Sequence, residues 1–335
     1  MKITVIGDGG WGTALALVLS RREDRTVTVW GPDPAYAAQV QSTRDNARFL
    51  PGVPLPPAIA FTADPAEALA GAGAVVLVSP SKYVKSVLGR FAPFYAASAH
   101  PPVVSATKGF DPAPPHARIT QLLAAAWPDA PVAALSGPSI AGETARGIPT
   151  AVTIASPDPA VAAFFQSLFL CDTFRPYTAS DIVGLELGGA LKNVIAIAAG
   201  VCDGLGYGAN AKAAIITRGI AEMTRLGVAL GADPRTFCGL SGVGDLIVTC
   251  SSPSSRNRTV GERLGRGESL DAILGPMLQV AEGVCTCGPA LELARGAGVE
   301  TPLMAHVGEL LAGRLSPDAA VLSLMRRDPK AETLA

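Results

Sequence analysis

The stretch Gly7-Asp8-Gly9-Gly10-Trp11-Gly12 limits what this chain can fold into more than any other. It has the spacing GxGxxG, and its flanks matter as much as its glycines. Before it, Ile3 to Gly7 (ITVIG) reads as a buried strand; after it, Thr13 to Arg22 (TALALVLSRR) reads as a helix. In such a junction the first glycine makes the turn, the second lets backbone approach a ligand, and the third lets helix pack on strand. The first N–H groups of a helix have no intrahelical acceptors, so the junction also forms an anion cradle suited to a pyrophosphate. Thr26 to Trp30 supplies the next strand of the unit. An acidic side chain near its end would take the ribose hydroxyls of a dinucleotide. That end reads Trp30-Gly31-Pro32-Asp33, which makes Asp33 the candidate.

The same alternation continues. Ala74 to Ser79, Pro102 to Thr107, Pro131 to Ser136 and Thr150 to Ser156 are short apolar runs with helical segments between them, and Phe164 to Leu170 is helical. Near-continuous apolar strands separated by helices predict a doubly wound, mostly parallel sheet of the Rossmann-like α/β class. From about Ser180 the strand signal fades. Ala209 to Leu230 is a helix stopped by Gly231, and Asp233-Pro234 and Ser316-Pro317 pair a cap with proline at the first helical position. With 335 residues there is room for two domains. The expected division is a dinucleotide-binding domain over residues 1–182 and an all-helical substrate and catalytic domain over 183–335.

The helix expected from Leu185 to Gly208 carries only two charges between Leu187 and Ala211, Lys192 and Asp203. Burial of an ammonium lowers its pKa, so Lys192 is either a side chain snorkelling to the rim or a proton donor tuned toward working pH. Asn193 adjoins it. Gly188 and Gly189, one turn earlier, share its face and leave bare backbone for something to approach.

Composition excludes several functions. The net charge is -1, with no basic excess for nucleic acid. No apolar run is expected to reach the ~18 residues of a membrane span. A strand beginning at Lys2 predicts no signal peptide. Six scattered cysteines form no disulfide framework and suit a reducing cytoplasm. Cys285-Thr286-Cys287 is too tightly spaced for a metal knuckle and has no histidine nearby, so packing is its expected role and no metal site is expected.

Four further stretches carry polar chemistry. Lys108 in SATKG follows a strand whose carboxyl end faces the ligand crevice, although a lysine judged alone is more often an exposed loop residue. Gly137 and Ser139 in SGPS offer backbone N–H and a hydroxyl, or a helix cap. Asp245 and Thr249 in GVGDLIVTC stand four apart, on one face of a helix, where Asp245 is a site residue or a cap. Ser255-Arg256-Asn257, before a helix, combine a guanidinium with a helix start, a chemistry suited to phosphate; the alternative is a solvated turn.

Together and in this order, these stretches closely resemble the NAD(P)-dependent glycerol-3-phosphate dehydrogenase family of bacteria over nearly the whole chain. The most specific are GDGGWGTALA, SATKG, SGPSIAGE, LGGALKNVIAIAAGVCDGLGYGANAKAAIITRGIAEM, GVGDLIVTC and SSRNR. The resemblance implies reversible hydride transfer between NAD(P)H and dihydroxyacetone phosphate, giving sn-glycerol 3-phosphate for phospholipid synthesis. It implies that Lys192 is the acid/base at the substrate C2 oxygen, with Asn193 and Asp245 beside it and Thr249 in the same site. It gives Lys108 contacts to both substrate and cofactor. Gly137, Ser139, Ser255, Arg256 and Asn257 match positions holding the glycerol phosphate. Gly10, Trp11, Ala141, Arg256, Val280 and Glu282 match positions holding the NAD or NADP, alongside Gly7, Gly9 and Gly12 of the fingerprint.

Pro32, Ile140 and the 285–287 segment depart from the family's usual residues. Pro32 stands where a basic or histidine side chain often lies near the adenosine ribose, so NAD and NADP both stay open. The rival readings are a sister dehydrogenase of the 3-hydroxyacid, ketopantoate or 6-phosphogluconate type, which SSRNR and GGALKN argue against, and a dinucleotide sensor without turnover. The partners expected are a small-molecule substrate and a second copy of the chain docked through its apolar helical half.

Overall fold

The computed structural model describes residues 1–329, 331 and 332. One sheet is built from β1 (Lys2–Ile6), β2 (Thr26–Trp30), β3 (Ile59–Thr62), β4 (Ala72–Leu77), β5 (Val103–Ser105), β6 (Val132–Ser136), β7 (Thr150–Ala155) and β8 (Phe174–Ala179). Its order is β3-β2-β1-β4-β5-β6-β7-β8, and the first six strands run parallel. Chain order reverses between β1 and β4, and there a ligand crevice opens outside the carboxyl ends of the strands. Interspersed are α1 (Gly10–Leu19), α2 (Pro34–Thr43), α3 (Pro65–Leu69), α4 (Val84–Ala96), α5 (Ile119–Ala126), α6 (Ala141–Ala145) and α7 (Pro159–Phe169).

Three features of the sheet differ from the sequence expectation. β7 pairs with β6 antiparallel. The link from Ser136 to Thr150 holds only the five-residue α6. At about 1.5 Å per helical residue that helix is too short to carry the chain back along β6. β3 is a four-residue edge strand too short to show a period. β8, with Arg175 and Pro176 in its middle, lacks the apolar run of a buried strand, and its edge position tolerates the proline.

After β8 the described elements are helical: α8 (Ile182–Gly204), α9 (Ala209–Ala229), α10 (Asp245–Ser251), α11 (Arg256–Gly265), α12 (Leu270–Leu274), α13 (Glu282–Gly296), α14 (Pro302–Leu311) and α15 (Pro317–Met325). Every residue of α8 from Gly184 to Cys202 is buried. By length and composition α8 could cross a membrane, contrary to the expectation that no run is long enough. Here 94% of its apolar window lies inside the fold, as the core around which the helical half packs.

Two contacts fix where α8 sits. Its buried Glu186 accepts from the Thr120 amide at 2.8 Å, and from the Thr120 hydroxyl and Arg118 at 2.5 Å each, which ties it to the sheet half. On the other side α8 and α11 meet backbone to backbone. A Cβ on Gly261 would collide with the Ile197 carbonyl, and one on Gly200 with that of Arg258. Glycine on both helices permits this close crossing, and the crossing brings the start of α11 beside Lys192 and Asn193.

Candidate active site

Lys192 does not snorkel. It is 5% exposed, and its ammonium donates to Asp245 Oδ1 and to Thr249 Oγ1, both at 2.7 Å. Thr249 in turn donates to the Asp245 carbonyl at 2.6 Å, so the four-residue spacing places both partners on one face of α10. An ammonium has three protons. Two are taken by protein, which leaves the third unspent on a side chain that lines the cleft. Burial brings the Lys192 pKa down to about 8, against the attraction of Asp245 and with the help of the positive charge on Lys108. Asp245 is itself 1% exposed; burial would raise its pKa, but Lys108 and Lys192 together hold it below the ordinary carboxylate value.

Lys108 reaches the same carboxylate from the end of β5, donating to Asp245 Oδ2 at 2.6 Å, to the Gly137 carbonyl at 2.9 Å and to Ser139 Oγ at 3.2 Å. All three of its protons are thus engaged by protein. Ser139 is not a helix cap. Its hydroxyl turns back to the Gly137 carbonyl at 2.9 Å, and α6 begins after Ile140 without a side-chain cap. Nor does Asp245 cap α10; Gly244 holds that position, and the Asp245 carboxylate is spent on the two lysines.

Asn193 and Asn257 form a bridge between helices. Asn257 Nδ2 donates to Asn193 Oδ1 at 2.9 Å, and Asn257 Oδ1 accepts the Gly283 amide at 2.8 Å, joining α8, α11 and α13. Asn193 Nδ2 points back to the Gly189 carbonyl at 3.2 Å. Ser255 caps α11 by accepting the Arg258 amide, which leaves its own proton free. Arg256 anchors one guanidinium nitrogen on the Val280 carbonyl at 2.9 Å and is otherwise exposed toward the cleft.

The glycine turn faces this cluster. Gly7 has φ +132, and a Cβ there would sit 2.9 Å from the Val78 carbonyl; a Cβ on Gly12 would overlap the Gly7 carbonyl. Gly9 is different, since a Cβ on it would meet nothing within 4 Å, and as N-cap of α1 it provides no side-chain hydrogen bond. Bare backbone with unpaired N–H groups and open space above it fits the pyrophosphate of a dinucleotide. Trp11, which lines the same region, has its Nε1 buried without a hydrogen-bond partner, a further unspent donor. Gly7, Gly9, Gly10, Trp11, Gly12 and Ala141 line one cleft with Val280 and Glu282 across from them. Lys108, Ser139, Lys192, Asn193, Asp245, Thr249, Ser255, Arg256 and Asn257 line the same cleft, whose volume is about 960 Å³. Gly137 stands behind it, holding Lys108.

Some expectations are corrected. Gly188 and Gly189 do not leave room for a ligand: Cβ atoms there would lie 2.6 Å from the Ser241 carbonyl and 2.6 Å from Ser136 Oγ, so neighbouring protein fills both gaps. Asp33 does not line the cleft; it caps α2 through the Tyr36 amide at 3.1 Å and lies 3.6 Å from Arg48. Two residues were missed. Ser81, after β4, donates its amide at 2.9 Å and its hydroxyl at 2.6 Å to Glu282, so both carboxylate oxygens of Glu282 join the walls of the cleft. Asp8, inside the fingerprint, lines the cleft with its pKa raised by burial to about 6. Only its place between two fingerprint glycines could have flagged it.

A doubly wound sheet with a bare glycine turn, facing a buried lysine held by a carboxylate, defines a dinucleotide-dependent oxidoreductase with a helical second half. Residues 2–162 match the family model described as NAD-dependent glycerol-3-phosphate dehydrogenase N-terminus, and residues 181–322 match the corresponding C-terminus. The chain belongs to the NAD-dependent glycerol-3-phosphate dehydrogenase family. The glycerol-3-phosphate dehydrogenase [NAD(P)+] of Citrifermentans bemidjiense is 48% identical over 99% of this chain and 98% of its own length. The crystal structure of glycerol-3-phosphate dehydrogenase from Coxiella burnetii superposes with TM-score 0.93 at 35% identity, covering 97% of this chain and 99% of that one. A ketopantoate reductase from Ralstonia eutropha has TM-score 0.59 at 17% identity, covering 94% and 99% of the two chains; that likeness is one of fold alone.

Proposed function

We propose that this chain interconverts sn-glycerol 3-phosphate and dihydroxyacetone phosphate with NAD(H) or NADP(H), and runs toward glycerol 3-phosphate for phospholipid synthesis. The observation that carries the reading is the array Lys108–Asp245–Lys192, with one unspent ammonium proton on a side chain that lines the cleft opposite the glycine turn. When bound, the dinucleotide supplies the hydride. Gly9, Gly10 and Trp11 at the head of α1 would hold its pyrophosphate, with Ala141 and Val280 on the flanks.

Lys192 donates its third proton to the C2 oxygen as charge develops there, and takes it back in the oxidative direction. Asp245 and Thr249 fix where that proton points. Lys108, with no proton to spare, keeps Asp245 ionised and lends positive charge. Asn193 and Asn257 position rather than react, since their amides hold each other and Gly283. The substrate phosphate sits at the start of α11, where Arg256, the Ser255 hydroxyl and free N–H groups converge. Glu282 positions the cofactor wall through Ser81.

The division at residues 182 and 183 into cofactor and catalytic domains belongs to the same proposal. So does a homodimer through the helical half, which leaves Val228, Leu322 and Met325 exposed. So does a reducing cytoplasmic setting, supported by six unpaired cysteines.

The test is loss of NADH absorbance with dihydroxyacetone phosphate, set beside unphosphorylated dihydroxyacetone, in wild type and Arg256→Ala. Turnover should need the phosphate. Arg256→Ala should raise KM for the phosphorylated ketone about 10- to 100-fold, as loss of a hydrogen bond to a charged group implies, and barely change the unphosphorylated one. Equal effects on both ketones would remove the phosphate assignment.

A further inference from the structure

We propose that Asp8, rather than an acidic residue at the end of β2, reads the adenosine ribose, and that it makes this chain prefer NADH to NADPH. The inference rests on the dehydrogenase reading above and deepens it. In a sheet of this order the adenosine ribose lies over the end of the second strand, beside the glycine turn, where a carboxylate takes its hydroxyls or a cation takes a 2′-phosphate. Neither stands there on β2. Gly31 has no side chain and Pro32 has neither charge nor donor, while Asp33 is committed to the α2 cap and to Arg48.

The Asp8 carboxylate occupies that place instead. It covers Gly31 so closely that a Cβ on Gly31 would overlap Asp8 Oδ2. It also lines the cleft, and among the described residues no hydrogen bond from another residue reaches it. The Thr13 hydroxyl and the Asn46 amide donate to the Asp8 carbonyl, not to its carboxylate. Burial raises its pKa to about 6, with its own backbone amide and then Arg48 opposing and Asp33 assisting, so above neutral pH it is an anion whose one donor is its own amide. Ribose hydroxyls supply donors. A 2′-phosphate would instead set a second anion against it, and opposed like charges reject a ligand.

The cations nearby do not cancel this. Arg48 is stacked on Tyr36 at 4.0 Å, paired with Asp33 and outside the cleft lining, so its charge, which lowers the Asp8 pKa, is shared with Asp33. Arg90 lines the cleft but lies over the Trp30 ring at 5.5 Å, which makes it the competitor to test.

The experiment is calorimetric titration of the full chain with NADH and with NADPH, independent of turnover. Wild type should bind NADPH at least about tenfold more weakly than NADH. Asp8→Ala and the isosteric Asp8→Asn should each narrow that ratio to within about threefold, mainly by tightening NADPH. Asp33→Ala should leave the ratio as it is. NADPH binding as tight as NADH in wild type would overturn the inference, as would a ratio unmoved by both Asp8 variants. An NADPH preference lost in Arg90→Ala would reassign the position to Arg90. Failure to bind either dinucleotide would overturn the dehydrogenase reading itself.

Discussion

The wall of the cleft built from β1 and α1 presents mostly backbone, whereas the wall built from α8, α10 and α11 presents mostly side chains. On the first, Gly7, Gly9 and Gly12 matter for what they lack. On the second, Lys192, Asp245, Thr249 and Asn257 matter for the few hydrogen bonds each can make and how they are already spent. On the function proposed above, the difference follows from what each wall would handle. A pyrophosphate is held by a row of N–H groups that any sequence without obstructing side chains can offer. A proton at a carbonyl oxygen needs one group with a suitable pKa, held in one direction.

Removing the proton donor should therefore separate the walls most sharply. Lys192→Met should lower kcat by about 10³-fold, within the range for loss of a positioned general acid, and leave the NADH dissociation constant within about threefold of wild type. Rates from NADH absorbance and affinities from calorimetry provide the two numbers. A kcat loss under about tenfold would mean that Lys192 is not the donor; a parallel loss of NADH affinity would mean that the two walls are not separable.

How much of each wall was legible in the sequence follows the same division. The glycine turn is a property of consecutive residues, so its spacing between a strand and a helix was enough to find it. Lys192 was legible only as an anomaly, a charge on an apolar helix, because its partner Asp245 lies 53 positions away and Lys108 is a further long-range contact, 137 positions from Asp245. Family resemblance gathered these residues; no local pattern could. The misreadings share a cause. Gly188 and Gly189 make close approach possible, but sequence does not say what approaches, and here it is Ser241 and Ser136. Asp33 has the right residue type near the right place, yet a carboxylate three residues before an α2 amide is captured as a cap before it can serve a ligand. The antiparallel β7 was hidden because strand direction depends on the span of the connection.

A smaller effect resolves the backbone wall into two kinds of glycine. Gly12→Ala would drive a methyl into the Gly7 carbonyl, a packing fault that should lower Tm by about 5–10 °C whether or not cofactor is present. Gly9→Ala would meet only open space in the free protein. Its Tm should stay within about 2 °C of wild type, while the NADH dissociation constant rises about tenfold as the methyl intrudes on the pyrophosphate. Thermal melts with calorimetry on the two variants decide it. If Gly9→Ala bound NADH normally, the cradle would lie elsewhere.

The gentlest probe is pH, and it bears on the side-chain wall alone. Lys192 must be protonated to donate, so the reductive kcat should fall as pH rises through about 8, and the oxidative rate should rise over the same interval. The pKa is low because burial disfavours the ammonium and Lys108 repels it, while Asp245 pulls the other way. Removing the negative charge with Asp245→Asn deletes the neighbour that raises the pKa most, so the reductive limb should move to lower pH. Lys108→Met deletes a repulsion, so the limb should move to higher pH. Opposite displacements of one limb by two substitutions at a single carboxylate–lysine contact are hard to obtain from a distant titrating group. If both variants moved the limb the same way, the proton measured by the rate would not be the one on Lys192.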